Sequence, residues 1–200
     1  PQPVSRQTKP GINIEKNLFR IVTIVGIMNS FDPKQFTQTM EVAEEVARLY
    51  GNRTRIRVCG LCYDRDRLLL VSHRGLGAAS FWAPPGGGIE FGSSAAENLR
   101  REFREETGLD VTVGGFLFVC EYLHPPLHGV ELFYHVQPTG GQLRTGHDPE
   151  MEAGRQIIHE VRYCTTAELE QLPPEELHCI LRLERDALKI RNLRGYFLLE

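Results

Sequence analysis

Residues 84–109 read PPGGGIEFGSSAAENLRREFREETGL, and this stretch decides the fold of the chain. A glycine-rich turn leads into a segment with helical periodicity. Ser94 is a predicted N-cap, because its hydroxyl can accept a hydrogen bond from an unpaired amide of the first turn. Gly108 stands where a left-handed residue is expected to end the helix. The apolar positions between these caps recur every three to four residues and predict one buried face: Ala95, Ala96, Leu99 and Phe103.

A second face of this helix carries Glu102, Glu105 and Glu106, which are related as i, i+3 and i+4. Like charges at this spacing repel by roughly 0.2–0.5 kcal/mol per pair on an exposed helix. A hard divalent cation would remove the repulsion, since Mg²⁺ and Mn²⁺ bind carboxylate oxygens. Arg101 can orient one carboxylate by a bidentate contact. The alternative is a solvated acidic face that is balanced by Arg100, Arg101 and Arg104.

The order of Gly87 and residues 101–109 resembles the signature of the Nudix hydrolases, the MutT-like family, which is G-x5-E-x7-R-E-U-x-E-E-x-G-U with U a bulky apolar residue. Residues 85–86 complete the PGG that usually opens this motif. The resemblance implies that Mg²⁺ or Mn²⁺ is held by Glu102, Glu105 and Glu106 and that Arg101 orients them. It also assigns Gly86 and Gly87 to the substrate-binding turn, where the backbone can approach closely.

The same resemblance implies an α+β fold, the Nudix-type α/β/α sandwich with a mixed β-sheet. The domain is expected to span residues 52–200, and residues 1–51 form an N-terminal extension that the resemblance does not cover. The implied activity is metal-dependent hydrolysis of the diphosphate in a nucleoside diphosphate linked to another moiety. The implied partner is therefore a small-molecule nucleotide.

One position departs from the family pattern. Ser93 occupies the place of the first Glu of the signature, and Glu90 is nearby but out of register. The loss of this acid is expected to weaken metal affinity or to change the preferred ion. It also keeps open a different class of function, a non-catalytic domain that senses nucleotides.

The general base and the substrate are less clearly indicated. In the family the base is a Glu of the acidic cluster, here Glu105, or one from a distant loop. The loop candidates are Glu150, Glu152 and Glu160, and Glu160 is preferred because it begins a strand-like segment. Aromatic residues that can stack on a base are Phe81, Trp82, Tyr122 and Phe133, although such residues more often belong to a core.

Pro125 gives a hint of the substrate. It lies sixteen residues beyond the motif and resembles the downstream proline of the ADP-ribose-cleaving subgroup, although a proline that ends a strand is the simpler explanation. ADP-ribose or another nucleotide sugar is therefore the first expectation. A house-cleaning nucleoside triphosphate pyrophosphohydrolase is the alternative within the enzyme class.

Composition narrows the class of protein. The net charge of −3 has both signs mixed along the chain, which argues against a nucleic-acid binder. The apolar run at residues 21–28 is too short to span a bilayer. The five cysteines are scattered through apolar runs, which favours reduced, buried thiols in a cytoplasmic protein. Cys59 and Cys62 have zinc-like spacing, but a strand would point them to opposite faces.

Periodicity predicts the remaining elements. Strands are expected at residues 55–63, 67–72, 111–123, 131–137 and 157–164, with a bend at 114–115 and a turn at 139–141. Thr166 is expected to cap a helix over residues 167–172, and a final helix is expected to end near residue 190. A helix that begins at residues 32–33 and ends at Gly51 is amphipathic. It is expected to pack on its own domain, in a homodimer contact or as an exchanged segment, and the sequence leaves these alternatives open.

Overall fold

The computed structural model describes residues 47–48, 50–74, 80–146 and 157–199. Within these residues the strands are β1 Arg53–Asp64, β2 Arg67–His73, β3 Phe81–Ala83, β4 Gly86–Gly88, β5 Leu109–His124, β6 Leu127–Gly141, β7 Ile158–Cys164 and β8 Gly195–Leu199. The helices are α1 Ala95–Thr107, α2 Thr166–Gln171, α3 Cys179–Leu183 and α4 Ala187–Ile190, with a 3₁₀ turn at Pro174–Glu176.

These strands form one mixed sheet. Its order is β3-β2-β1-β6-β5-β8, and β4 pairs with β1 while β7 pairs with β2. Strands β1 and β6 run parallel, as do β5 and β8, whereas the other pairs are antiparallel. The register of β5 against β6 shifts between Val113 and Phe116, which confirms the predicted bend at Gly114 and Gly115.

Each face of the sheet is covered by its own hydrophobic core. Leu99 and Phe103 of α1 pack on one face. The ring of Phe103 lies over Gly60 of β1, where a Cβ would come within 2.4 Å of it. The opposite face packs against α2, α3 and α4 through Leu169, Ile180, Leu181, Ala187 and Ile190. A sheet with helices on both faces confirms the predicted α/β/α sandwich.

The cysteines are all buried, free thiols. Cys59 packs in the core that faces α3, and Cys62 packs in the core under α1. This arrangement confirms that the two side chains of the C-x2-C spacing point to opposite faces.

The ends of α1 are closed by local hydrogen bonds. Ser94 is the N-cap and forms a reciprocal capping box with Glu97, as the sequence predicts for the cap. Gly108 is left-handed, with φ of 73°. The carbonyls of Glu106 and Thr107 accept hydrogen bonds from the amides of Gly146 and Arg144, each at 2.9 Å, so the chain after β6 satisfies the end of the helix.

Three sequence predictions are wrong in detail. Residues 139–141 do not turn but extend β6, because they pair with the start of β5. Thr165, not Thr166, caps α2. The predicted final helix is broken into a 3₁₀ turn and two short helices, since the Asp186 side chain accepts from the amides of Leu188 and Lys189 and starts α4 anew. Strand β8 was not predicted.

The predicted helix before the domain is described only at its end. Ala47, Arg48 and Tyr50 are helical, and the amide of Gly51 donates to the Ala47 carbonyl at 2.8 Å. Its earlier residues, and the question of a homodimer contact, lie outside the described residues. Among the described helices, none has the length and apolar character that crossing a membrane requires.

Candidate active site

The glycine turn and α1 are joined by a direct hydrogen bond. The amide of Gly86 donates to Oε2 of Glu106 at 2.9 Å. Gly86 must lack a side chain, because a Cβ would stand 2.1 Å from the carbonyl oxygen of Val58 on β1. The close pairing of β4 with β1 therefore fixes the Gly86 amide in position, and that amide fixes the carboxylate of Glu106. His73 of β2 lies next to it, with Nε2 at 3.9 Å from Oε1.

Gly87 makes room for the second carboxylate. A Cβ at this position would lie 2.2 Å from Oε1 and 2.4 Å from Cδ of Glu102. Gly88 differs, because a Cβ there would have ordinary contact with Arg55 at 3.6 Å. The structure thus gives Gly86 and Gly87 the same task, which is to seat the carboxylates of α1 against the turn.

Arg101 holds the carboxylates in place. One terminal nitrogen donates to Glu105 and the other to Glu102, each at 2.7 Å. The second nitrogen is also 3.3 Å from Oε1 of Glu90. Glu90, which lies out of register with the motif, is therefore in contact with the Arg101 side chain that holds the cluster. It is close in sequence to Ser93, and it brings an acid to Arg101 from the loop that lacks the motif's first Glu.

The acidic cluster of Glu102, Glu105 and Glu106 carries more negative charge than Arg101 neutralises. The pKa of Glu102 is raised to about 7, first by burial and then by repulsion from Glu106 and Glu105, while Arg101 and Arg57 oppose the shift. A carboxylate that resists ionisation in the metal-free protein gains a partner when a cation binds. Oxygen donors with excess negative charge, seated on a side-chain-free turn, fit a hard divalent ion.

A buried ionic cluster lies beneath the other side of the turn. Arg57 of β1 donates to the Gly86 carbonyl at 3.2 Å, and its Nε is 3.0 Å from Oε1 of Glu131. His178 faces the same carboxylate, with Nε2 at 2.8 Å from Oε2. Sequence reasoning missed these residues. The available signal was a charged residue directly before an apolar run within a strand, at Arg57 and again at Glu131.

Two predicted substrate residues lie away from the carboxylates. Trp82 is only 4% exposed, packs in the core that faces α3, and is covered by the guanidinium of Arg162. Pro125 is exposed in the turn between β5 and β6, next to the start of β1. The positions indicate a packing role for Trp82 and a turn role for Pro125, and their contact with substrate stays a prediction.

The predicted base Glu160 is not brought to the acidic cluster. It pairs across from Ser72 in β7, and its carboxylate is 3.2 Å from Arg162. Its neighbour Val161 packs in the core under α1, so alternation along the strand puts Glu160 on the opposite face. The other loop candidates, Glu150 and Glu152, lie outside the described residues.

The fold and this site define a class of protein, a mixed-sheet α/β/α domain with a glycine turn that seats acidic helix residues. The family model described as NUDIX domain matches residues 53–183, which is more than half of the chain. The chain therefore belongs to the NUDIX family, as the motif in residues 84–109 indicates.

Relatives and solved structures agree with this assignment. The chain is 34% identical to a putative ADP-ribose pyrophosphatase, YjhB, of Bacillus subtilis over 94 residues, which are 44% of each protein. It is 30% identical to an ADP-ribose pyrophosphatase of Methanocaldococcus jannaschii over 46% of this chain and 56% of that protein. The matched part thus spans about half the length of these curated relatives. The crystal structure of a UDP-X diphosphatase shares the fold, with a TM-score of 0.55, 19% identity, and coverage of 92% of this chain and 97% of the other.

Proposed function

We propose that the protein is a metal-dependent hydrolase that cleaves the diphosphate of a nucleoside diphosphate linked to another moiety. The observation that carries the proposal is the arrangement of the acidic cluster, in which the glycine turn seats Glu102 and Glu106 while Arg101 holds Glu102 and Glu105 at 2.7 Å each. Glu102, Glu105 and Glu106 are the proposed ligands of Mg²⁺ or Mn²⁺. A bound divalent ion neutralises phosphate charge and lowers the pKa of water at such a site.

The chain's own residues prepare the site for this chemistry. Gly86 fixes Glu106 through its amide, and Gly87 leaves the space that Glu102 occupies. Arg101 sets the spacing of Glu102 and Glu105 by giving each a separate nitrogen. Pre-set ligands reduce the reorganisation that is needed when metal and substrate bind.

Glu105 is the proposed general base. Its side chain is 25% exposed, compared with 11% for Glu102 and 10% for Glu106, so it is the most accessible of the three to an attacking water. Arg101 holds one of its oxygens, so the other oxygen serves either as a metal ligand or as the base, and Glu105 accepts the proton when Glu102 and Glu106 hold the ion. Glu160 remains the alternative base. Its side chain lies on the other face of β7, so it would have to move toward the acidic cluster when substrate binds.

ADP-ribose or another nucleotide sugar is the proposed substrate. Support comes from the printed names of two curated relatives, a putative ADP-ribose pyrophosphatase and an ADP-ribose pyrophosphatase, and from the place of Pro125 in the sequence, sixteen residues beyond the motif. A nucleoside triphosphate is the second candidate within the same chemistry. A nucleotide sensor without catalysis is disfavoured by Glu90, because this acid approaches Arg101 from the loop that carries Ser93.

A substrate panel tests the proposal. Purified protein is incubated with ADP-ribose, other nucleotide sugars and nucleoside triphosphates, with Mg²⁺, with Mn²⁺ or with chelator, and products are identified by mass spectrometry. Release of a nucleoside monophosphate and a sugar phosphate from a nucleotide sugar, only with metal, is the expected result. Pyrophosphate release from triphosphates alone would favour the second candidate. Tight nucleotide binding without turnover would establish the sensor instead.

A further inference from the structure

A second group of ligand-type side chains lies on the face of the sheet away from α1. Within the part of the chain that the structure describes, Cys120, Glu131 and Cys179 place one ligand atom each so that all three lie within 4.8 Å of one another. These side chains are buried, with residue exposures of 0%, 6% and 7%. The hydrolysis proposed above uses none of them.

Strand register and a helix start bring the group together. Cys120 of β5 is the direct partner of Glu131 of β6, so both side chains point to the same face. Cys179 is the first residue of α3, which His178 caps by accepting from the Ile180 amide. The positions are therefore set by the backbone and not by flexible loops.

The two sulfur atoms have the separation that a tetrahedral metal needs. Sγ of Cys120 and Sγ of Cys179 are 3.6 Å apart. With bonds of about 2.3 Å, two sulfur ligands of a tetrahedral Zn²⁺ stand roughly 3.8 Å apart. The two sulfur atoms therefore need to move apart by only tenths of an ångström to bind a cation between them.

Glu131 turns its second oxygen toward this group. Its Oε1 faces Arg57 at 3.0 Å. Its Oε2 is paired with His178, whose Nε2 lies 2.8 Å away, but the geometry of this ion pair does not form a hydrogen bond. A buried carboxylate oxygen that accepts no hydrogen bond can bind a metal ion while His178 stays beside it.

We propose that Cys120, Glu131 and Cys179 bind Zn²⁺ or a similarly soft divalent cation, separately from the Mg²⁺ or Mn²⁺ site on α1. Thiolate ligands select zinc, whereas a cluster of carboxylates selects harder ions. Both thiols release their protons to solvent on binding. Two thiolates and one carboxylate carry −3, and the Arg57 and His178 cations bring the cluster to −1, so a divalent cation meets a site of net negative charge.

Three ligands leave the fourth position of a tetrahedral ion for a water molecule. Arg57, which pairs with Glu131, has a side chain that is 29% exposed. The bound ion would tie β5, β6 and α3 together. Because Arg57 also donates to the Gly86 carbonyl, the zinc site adjoins the turn that seats Glu106.

Spectroscopy on the intact wild-type chain tests the site without any substitution. The protein is loaded with Zn²⁺ or Co²⁺ during refolding, in reductant and with excess Mg²⁺ present. Zinc-edge X-ray absorption should show sulfur neighbours at about 2.3 Å, and Co²⁺ should give a thiolate charge-transfer band. The carboxylates of α1 cannot produce either signal, so the result is independent of whether the protein proves to be a hydrolase.

Cysteine variants identify the ligands. Cys120→Ser and Cys179→Ser should each lose the charge-transfer band and bind less than a tenth of the wild-type zinc at equal free metal. Cys164→Ser is the matched control, because Cys164 is buried in the same core but is not part of the group. It should keep the band.

Three results would overturn the zinc site. They are a coordination sphere of oxygen and nitrogen alone, an unchanged band in folded Cys120→Ser and Cys179→Ser, and a Cys120–Cys179 disulfide whose reduction brings no metal uptake. If the serine variants fail to fold, the wild-type absorption spectrum still decides the question.

Discussion

The two faces of the Gly86 turn carry charge clusters of opposite design. On the α1 side, Arg101 is shared by Glu90, Glu102 and Glu105, and Glu106 stands beside them, so negative charge is in excess. On the other side, Glu131 has Arg57 and His178 as partners, and its pKa is lowered to about 2 mainly by these two groups against the effect of burial. The comparison separates a cluster with excess negative charge from a cluster whose carboxylate is already paired with two cationic side chains.

The buried group of Arg57, Glu131 and His178 should contribute more to the free energy of unfolding than the acidic cluster does. Glu131→Ala leaves Arg57 and His178 without their carboxylate, and breaking a buried ion pair in this way costs about 3–5 kcal/mol. Urea unfolding of the metal-free protein measures the loss, with Glu131→Gln as the isosteric control that keeps the packing. A loss below about 1 kcal/mol in Glu131→Ala would remove the distinction between the two clusters.

The acidic cluster should instead make stability depend on pH. Because the pKa of Glu102 rises to about 7 from 4.5, the folded protein binds this proton more tightly than the unfolded chain. The resulting stabilisation is fully present below about pH 4.5 and is lost as the pH rises through about 7, an effect on the order of 3 kcal/mol. Unfolding free energies of metal-free wild type and Glu102→Gln should therefore diverge across this range. Parallel curves would contradict the assignment.

An alanine substitution in the glycine turn should lower activity strongly at Gly87 and hardly at all at Gly88. Gly87→Ala pushes a methyl group into the carboxylate of Glu102, and a displacement near 1 Å at a reacting centre can cost on the order of a hundredfold in rate. Gly88→Ala meets only an ordinary contact at 3.6 Å and should keep its rate within about twofold. The ratio of kcat/KM between the two variants, with the best substrate of the panel, is the measurement. Equal rates would show that Glu102 has room to adjust.

The smallest effect is expected at Glu90. Its 3.3 Å contact with Arg101 is partly exposed, so Glu90→Gln should weaken Mg²⁺ affinity only about threefold. Titrations that follow Mg²⁺ or Mn²⁺ binding check this expectation.

Ser93→Glu should fold normally and bind metal as tightly as wild type or more tightly. In the Glu90→Gln variant the same substitution should restore the metal affinity, and the same titrations measure it. A folded Ser93→Glu variant with markedly weaker binding would show that this loop uses another geometry.

Sequence reasoning worked where local rules decide the structure. Ser94, Gly108 and the apolar stripe of α1 follow from capping and periodicity, and the family signature then implied the sandwich around them. It failed where contacts come from distant strands. Arg57, Glu131 and His178 are far apart in sequence and meet only through the pairing of β1 with β6 and the start of α3. The face that Glu160 occupies could not be predicted for a related reason, because it depends on how β7 pairs with β2.

The most direct test of the acidic cluster as a metal site is the melting temperature of wild type and Glu106→Gln, each with and without Mg²⁺ or Mn²⁺. Gln keeps an oxygen that can accept from the Gly86 amide but removes one anionic ligand, so the metal-free variant should be as stable as wild type or slightly more stable. Metal should raise the wild-type melting temperature and raise that of Glu106→Gln much less, since a weaker ligand lowers the binding contribution to stability. Activity should fall by at least about a hundredfold in the same variant. An equal metal-dependent shift in both proteins would show that Glu106 is not a ligand and would contradict the proposed site.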